Sequence, residues 1–100
     1  MPRPPIHPGE ILADELGELR VTPTELARQL KVPANRMTQI VQGKRSITGD
    51  TALRLGHWFG TSAQFWLNLQ TAYELRLAEA RSGGEIERLP KRPRGVSRAA

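Results

Sequence analysis

Asn35, Arg36, Thr38, Gln39 and Gln42 fall within one short stretch, ANRMTQIVQ, and Lys44 and Arg45 follow directly. Primary amides present a donor beside an acceptor, the pattern that matches adenine in the major groove, whereas a guanidinium matches guanine. If Met37 marks the centre of a buried helical face, a turn of about 100° per residue puts Asn35, Gln39 and Gln42 nearly opposite it. Arg36 and Thr38 then flank that polar row. Such a row, with two cations just beyond, suits a nucleic-acid duplex. The plainer alternative is a solvated face on a helical hairpin, but the surrounding capping, turn and loop signals all agree with a helix-turn-helix.

Those signals begin at Thr22, an N-cap followed by Pro23 at the first helical position and by Glu25 three residues after the cap, which predicts a capping box. Leu26, Ala27 and Leu30 make one apolar stripe at helical spacing. Lys31 and Val32 form the turn, and Pro33 prevents the first helix from continuing. The second helix, from about Ala34 to Gln42, is expected to bury Ala34, Met37, Ile40 and Val41 and to stop at Gly43.

Three further helices must hold this pair. One starts at Pro8 with the inward stripe Ile11, Leu12, Leu16 and Leu19, weakened by about 1 kcal/mol at Gly17. Another follows the Thr48 cap from Gly49 to Phe59, with Asp50 in its first turn, Ala52, Leu55, Gly56 and Phe59 inward, and Arg54 and His57 outward. The last is capped by Thr61 or Ser62. Its apolar residues Phe65, Trp66, Leu67, Leu69, Ala72, Tyr73, Leu75 and Leu77 wrap more than the roughly 100° stripe that one core requires. The excess predicts a second buried surface, and a symmetric homodimer through Trp66, Leu69, Tyr73 and Leu77 is the commonest way to supply one. The reading is therefore an all-α, five-helix domain over 1–80, with helices at about 8–19, 22–30, 34–42, 49–59 and 62–80. Residues 1–6 are read as an extended, proline-rich arm. The stretch 81–100, rich in Gly, Pro and Arg without apolar periodicity, is expected to be a mobile basic tail.

The 100 residues carry a formal charge of +5, and that charge is segregated. Glu10, Asp14, Glu15 and Glu18 make the first helix acidic. From Arg20 to Arg45 the bases Arg20, Arg28, Lys31, Arg36, Lys44 and Arg45 face only Glu25, and the tail is basic again. This distribution favours a polyanionic partner for the middle of the chain. The acidic helix is either a solvated face or a docking surface for a basic protein. Without cysteine there is no disulfide or thiolate metal site. His7 and His57 lie far apart with no third ligand patterned near either, so no metal, cofactor or small-molecule substrate is expected. His57 is read as meeting solvent. No nucleophile or phosphate-cradling glycine loop appears, which argues against an enzyme. There is no apolar run long enough to span a membrane and no secretory apolar segment at the N-terminus, so a cytoplasmic, nucleoid-associated protein is expected.

Three segments, HPGEILADEL, LARQLKVPANRMTQIVQGKRSIT and ALRLGHWFGTSAQFWLNLQTAYELRLAE, occur in order and resemble the HigA-type antitoxins. These belong to the lambda-repressor-like (Xre) helix-turn-helix group. The resemblance covers about His7 to Glu79. It implies a homodimer on a palindromic operator, paired with a HigB-type toxin that resembles the RelE-fold, ribosome-dependent mRNA endonucleases. It implies that Ala34, Asn35, Arg36 and Gln39 form the base-reading front of the recognition helix. Thr24, Arg28, Lys44 and Arg45 match positions where related domains touch phosphates, and Thr38 joins them at the edge of the polar row. Glu10, Asp14, Glu15 and Glu18 are the candidate toxin-binding residues. A solitary Xre-type repressor without a toxin is the alternative within the same group. The sequence departs from the family pattern at Lys31, where Gly is usual, at Pro33, where Ser or Thr usually caps, and at Gln42, where Asn is common.

Overall fold

The computed structural model describes residues 4–93. Five helices follow one another: α1 (Pro8–Leu19), α2 (Pro23–Leu30), α3 (Ala34–Val41), α4 (Gly49–Phe59) and α5 (Ala63–Glu87). The described residues contain helices and connecting turns, without strands. Helices α2 and α3 pack on each other as the helix-turn-helix pair, α4 lies along α5, and α1 bridges α3 and α5. Where they meet, Leu12, Leu16, Leu26, Ala27, Leu30, Met37, Ile40, Ile47, Ala52, Leu55 and Trp66 form one buried cluster.

The local reasons for the breaks are visible in the backbone. The Thr22 hydroxyl accepts a hydrogen bond from the Glu25 amide at 3.1 Å, as the cap requires. In place of the expected reciprocal bond from the Thr22 backbone N–H, the Glu25 carboxylate accepts from the Thr22 hydroxyl at 3.3 Å. The α2–α3 turn is made by Lys31 in the left-handed region, φ 58°, ψ 48°. A side chain with a Cβ is disfavoured there. Two backbone bonds, from Lys31 to Arg28 and from Val32 to Ala27, close the turn nonetheless. Pro33 precedes α3 without any side-chain cap.

Further sequence expectations change. Helix α5 does not end at Ala80 but runs on to Glu87, through Gly83 and Gly84. Glycines weaken a helix without forbidding it; Pro90 forbids it, and the helix stops just before. Trp66 is 1% exposed and belongs to the core of its own chain, so it is not available to a dimer interface. Its indole N–H donates to the Thr61 hydroxyl at 3.1 Å, and Phe59 and Phe65 rings pack beside it. Ala34, the first residue of α3, is exposed and not inward. Leu19, expected inward, is 52% exposed where α1 ends. Residues 1–3 of the arm and 94–100 of the expected tail lie outside the described residues.

Candidate nucleic-acid interface

Helix α3 presents its front to the surface. Met37 and Ile40 are fully buried, which fixes the roll of the helix. Ala34, Asn35 and Gln42 are exposed, and Arg36, Thr38 and Gln39 are half-exposed beside them. Thr24 and Arg28, one turn apart on α2, and Lys44 and Arg45, in the loop after α3, are exposed as well. The expected base-reading residues thus share one surface, with cations on the adjoining turn.

Two of those side chains are not free rotors. One Nη of Arg36 donates to an Asp50 carboxylate oxygen at 2.7 Å. Nε of Arg54 donates to the same oxygen at 3.0 Å, while another nitrogen of Arg54 reaches the Leu30 carbonyl at 2.7 Å. That carbonyl is one of the groups a helix C-terminus leaves without an intrahelical partner. Hydrogen bonds from Arg54, and then from Arg36, hold the Asp50 carboxyl below its ordinary pKa, so it stays ionised. Gln39 is the second case: its amide oxygen accepts from Nε of Arg45 at 2.9 Å. The amide nitrogen of Gln39 makes no hydrogen bond among the described residues.

The basic loop is itself pinned from behind. Gln70 of α5 is 4% exposed and its amide oxygen accepts from the Ile47 backbone at 2.8 Å. Its amide nitrogen donates to Glu74 at 2.9 Å, so both ends of a buried amide are satisfied. With Ile47 seated in the core, Lys44 and Arg45 are carried on a short tether between that anchor and Gly43, which takes φ 75° at the end of α3.

A second support comes from α1. His7, read only as a histidine without metal partners, caps α1: its Nδ1 accepts from the Gly9 amide at 2.8 Å. The Glu10 carboxylate accepts from the His7 backbone at 3.3 Å, completing a reciprocal box. The imidazole is buried edge-on to the Tyr73 ring, with centroids 4.8 Å apart. Burial lowers its pKa from the ordinary 6.5, with the nearby Glu10 charge opposing the shift. Gly9 packs so closely on α3 that an added Cβ would stand 1.8 Å from the Ile40 carbonyl oxygen. Thus HPGE clamps the C-terminal end of α3 to α1 and α5.

His7, Gln70 and Asp50 are the residues that sequence reading did not assign to the site. The H-P-G-E spacing contains a signal for the first, since a histidine nitrogen accepts as a hydroxyl does. The i,i+4 pair Asp50–Arg54 is equally legible. Nothing local points to Gln70. Asp14, Glu15 and Glu18 of the acidic set are exposed on α1, and Glu10 is exposed beside its cap role. Leu69, Tyr73 and Leu77 are half-buried on α5; Leu69 and Tyr73 line an open groove of about 220 Å³ with Pro4, Ile6 and Ile11 of the same chain. Part of the wide apolar face of α5 is therefore covered internally. His57 is exposed, as expected. Among the described residues there is no cluster of ligating side chains that could hold a metal ion.

A short helix packed across a second, with its polar front outward and cations at both ends, defines the helix-turn-helix class. No family model matches the chain. Solved structures are more informative. An addiction-module antidote protein of the HigA family from Coxiella burnetii superposes with a TM-score of 0.88 at 52% identity, covering 91% of this chain and all of that one (100%). The antitoxin HigA of Pseudomonas aeruginosa, solved with the higBA promoter, gives 0.84 at 52% identity, covering 88% of this chain and 97% of its own. Among curated proteins, virulence-associated protein I of Dichelobacter nodosus is 52% identical over 77 residues, 76% of this chain and 71% of that protein. The chain belongs to the HigA-type antitoxins of the lambda-repressor-like helix-turn-helix group. It is a regulator by this kinship and not an enzyme. No described helix is long and apolar enough to cross a membrane.

Proposed function

We propose that this chain is the antitoxin of a type II toxin–antitoxin pair, binding the operator of its own operon in the cytoplasm and neutralising a HigB-type mRNA endonuclease of RelE fold. The observation that carries the reading is the outward front of α3, an amide and guanidinium surface fixed in roll by Met37 and Ile40. Ala34, Asn35, Arg36 and Gln39 contact base edges. Thr24, Arg28, Thr38, Lys44 and Arg45 contact phosphates and set the register. A homodimer places two copies of α3 in successive major grooves about 34 Å apart. Its interface uses Leu69, Tyr73 and Leu77, without Trp66. The toxin, which handles a phosphate chain and is therefore basic, docks on Glu10, Asp14, Glu15 and Glu18. That relatives of closely similar fold were solved with a promoter or an operator supports the DNA half of this reading.

Titrating the full chain against a duplex from immediately upstream of its gene, and against a shuffled duplex, tests it. A clear preference for the first is expected, with affinity falling steeply as salt rises. Lys44→Ala weakens both duplexes alike and lowers the salt slope by about one unit. Co-expression with the product of the adjacent gene tests the toxin half. Co-purification is expected, with association slowed at low salt when Asp14 and Glu18 are both replaced by Lys. No preference between duplexes would defeat the first half. A chain that prefers its promoter but captures no neighbour is a solitary repressor.

A further inference from the structure

We infer that Asp50, an acidic residue at the front of a basic surface, is a specificity-determining residue that positions Arg36 to read guanine. The proposal rests on the DNA-reading role proposed for α3. Geometry carries it. Asp50 lies on α4, fourteen residues beyond Arg36, yet its carboxylate takes the Arg36 guanidinium at 2.7 Å. The same oxygen takes Arg54, which is bonded in turn to the last carbonyl of α2 at 2.7 Å. Side chains of α3 and α4 therefore meet on one oxygen atom, and Arg54 ties that pair to the end of α2. Against solvation alone, an exposed carboxylate beside a polyanion is a liability, since it repels every phosphate that approaches.

Its return is orientation. A free arginine has several rotatable bonds and can neutralise any phosphate within reach. Arg36 is tethered through one terminal nitrogen, and its Nε and other Nη make no hydrogen bond among the described residues. That free edge is a two-pronged donor, the arrangement that matches O6 and N7 of guanine. Asp50 thus reduces the general attraction of the surface for DNA while favouring one base at one position. Both charges are accessible, with the Arg36 side chain 26% and the Asp50 side chain 55% exposed, so the pair can meet a duplex without unfolding.

A neutral side chain at position 50 separates these effects. Wild type, Asp50→Asn, Arg36→Ala and the double variant are titrated against the upstream duplex and a shuffled duplex. For Asp50→Asn, binding to the shuffled duplex tightens while the ratio of promoter to shuffled affinity falls by about ten-fold. In the Arg36→Ala background the same substitution leaves the ratio unchanged. Replacing G·C pairs of the promoter duplex one at a time should find a position that costs wild type heavily and Asp50→Asn little. Thermal melting of Asp50→Asn within a few degrees of wild type shows that a fold defect is not the cause. A ratio that is unchanged or higher in Asp50→Asn overturns the proposal, as does an equal loss in the Arg36→Ala background. If wild type itself does not prefer the promoter, the DNA-reading role of α3 fails, and the assignment of Asp50 fails with it.

Discussion

The N-terminal end of α1 and the front of α3 are both built from polar side chains at a helix start, and they are opposites in construction. At α1, His7 and Glu10 satisfy the backbone reciprocally, the imidazole is buried, and Gly9 admits the Ile40 carbonyl. At α3, Pro33 supplies no cap, and Arg36 and Gln39 are held by the exposed partners Asp50 and Arg45. At the first end the imidazole and its bond from the Gly9 amide are buried, and only the Glu10 carboxylate reaches the surface. The second is held by exposed surface pairs that leave part of each side chain, the Nε and second Nη of Arg36 and the amide nitrogen of Gln39, unbonded among the described residues. The difference shows that hydrogen bonding at a helix start does not itself mark a functional site. What differs is whether those bonds are buried and saturated, or exposed with donors left over for a partner.

The contrast predicts that substitutions at the α1 end cost stability and those at the α3 front do not. The largest effect is expected from Gly9→Ala. Its methyl would collide with backbone at Ile40, where no side chain can swing aside, so we expect a loss of about 2–3 kcal/mol and a melting temperature lower by roughly 10–20 °C. A melting temperature within a few degrees of wild type would show that the α1–α3 contact accommodates a Cβ at position 9.

His7→Ala removes the cap acceptor and the contact with Tyr73, with an expected loss of about 1–2 kcal/mol in chemical denaturation. It also tests a pH effect with a definite sign. Burial depresses the folded-state pKa of His7 below 6.5, so the unfolded chain binds the proton more readily. The stabilisation is fully present above pH 6.5 and is lost as pH falls through the lower folded value. Wild type should therefore lose more stability than His7→Ala between neutral and mildly acidic pH, and parallel curves would contradict this.

Lys31→Gly sharpens the contrast from the other side, at the turn that precedes α3. Relieving a left-handed residue should stabilise the chain by about 1 kcal/mol, read as a small rise in melting temperature, with promoter binding unchanged. Destabilisation would show that the Lys31 side chain makes a contribution larger than its backbone strain.

What the sequence disclosed follows the range of the forces involved. The Thr22 cap, the Lys31–Pro33 turn and the stripe of Leu26, Ala27 and Leu30 are set by neighbours a few residues apart, and those boundaries are legible. So is the polar front of α3, because helical periodicity alone places it opposite Met37. Contacts between distant segments are not legible in this way. The bond from Gln70 to Ile47 spans 23 residues and that from Arg36 to Asp50 spans 14. Trp66 shows a second kind of loss. The width of an apolar face measures how much must be covered without saying whether the cover is another chain or the same one. The end of α5 shows a third, since Gly83 and Gly84 lower helix propensity but Pro90 decides where it stops.

If, as proposed, the front of α3 contacts bases without supporting the fold, Gln39→Ala separates the two roles. Melting temperature and binding to upstream and shuffled duplexes are measured on the same preparation. Unchanged melting is expected, with promoter binding weakened by about 1–3 kcal/mol and little change on shuffled DNA. An equal loss on both duplexes, or no loss on either, would contradict it.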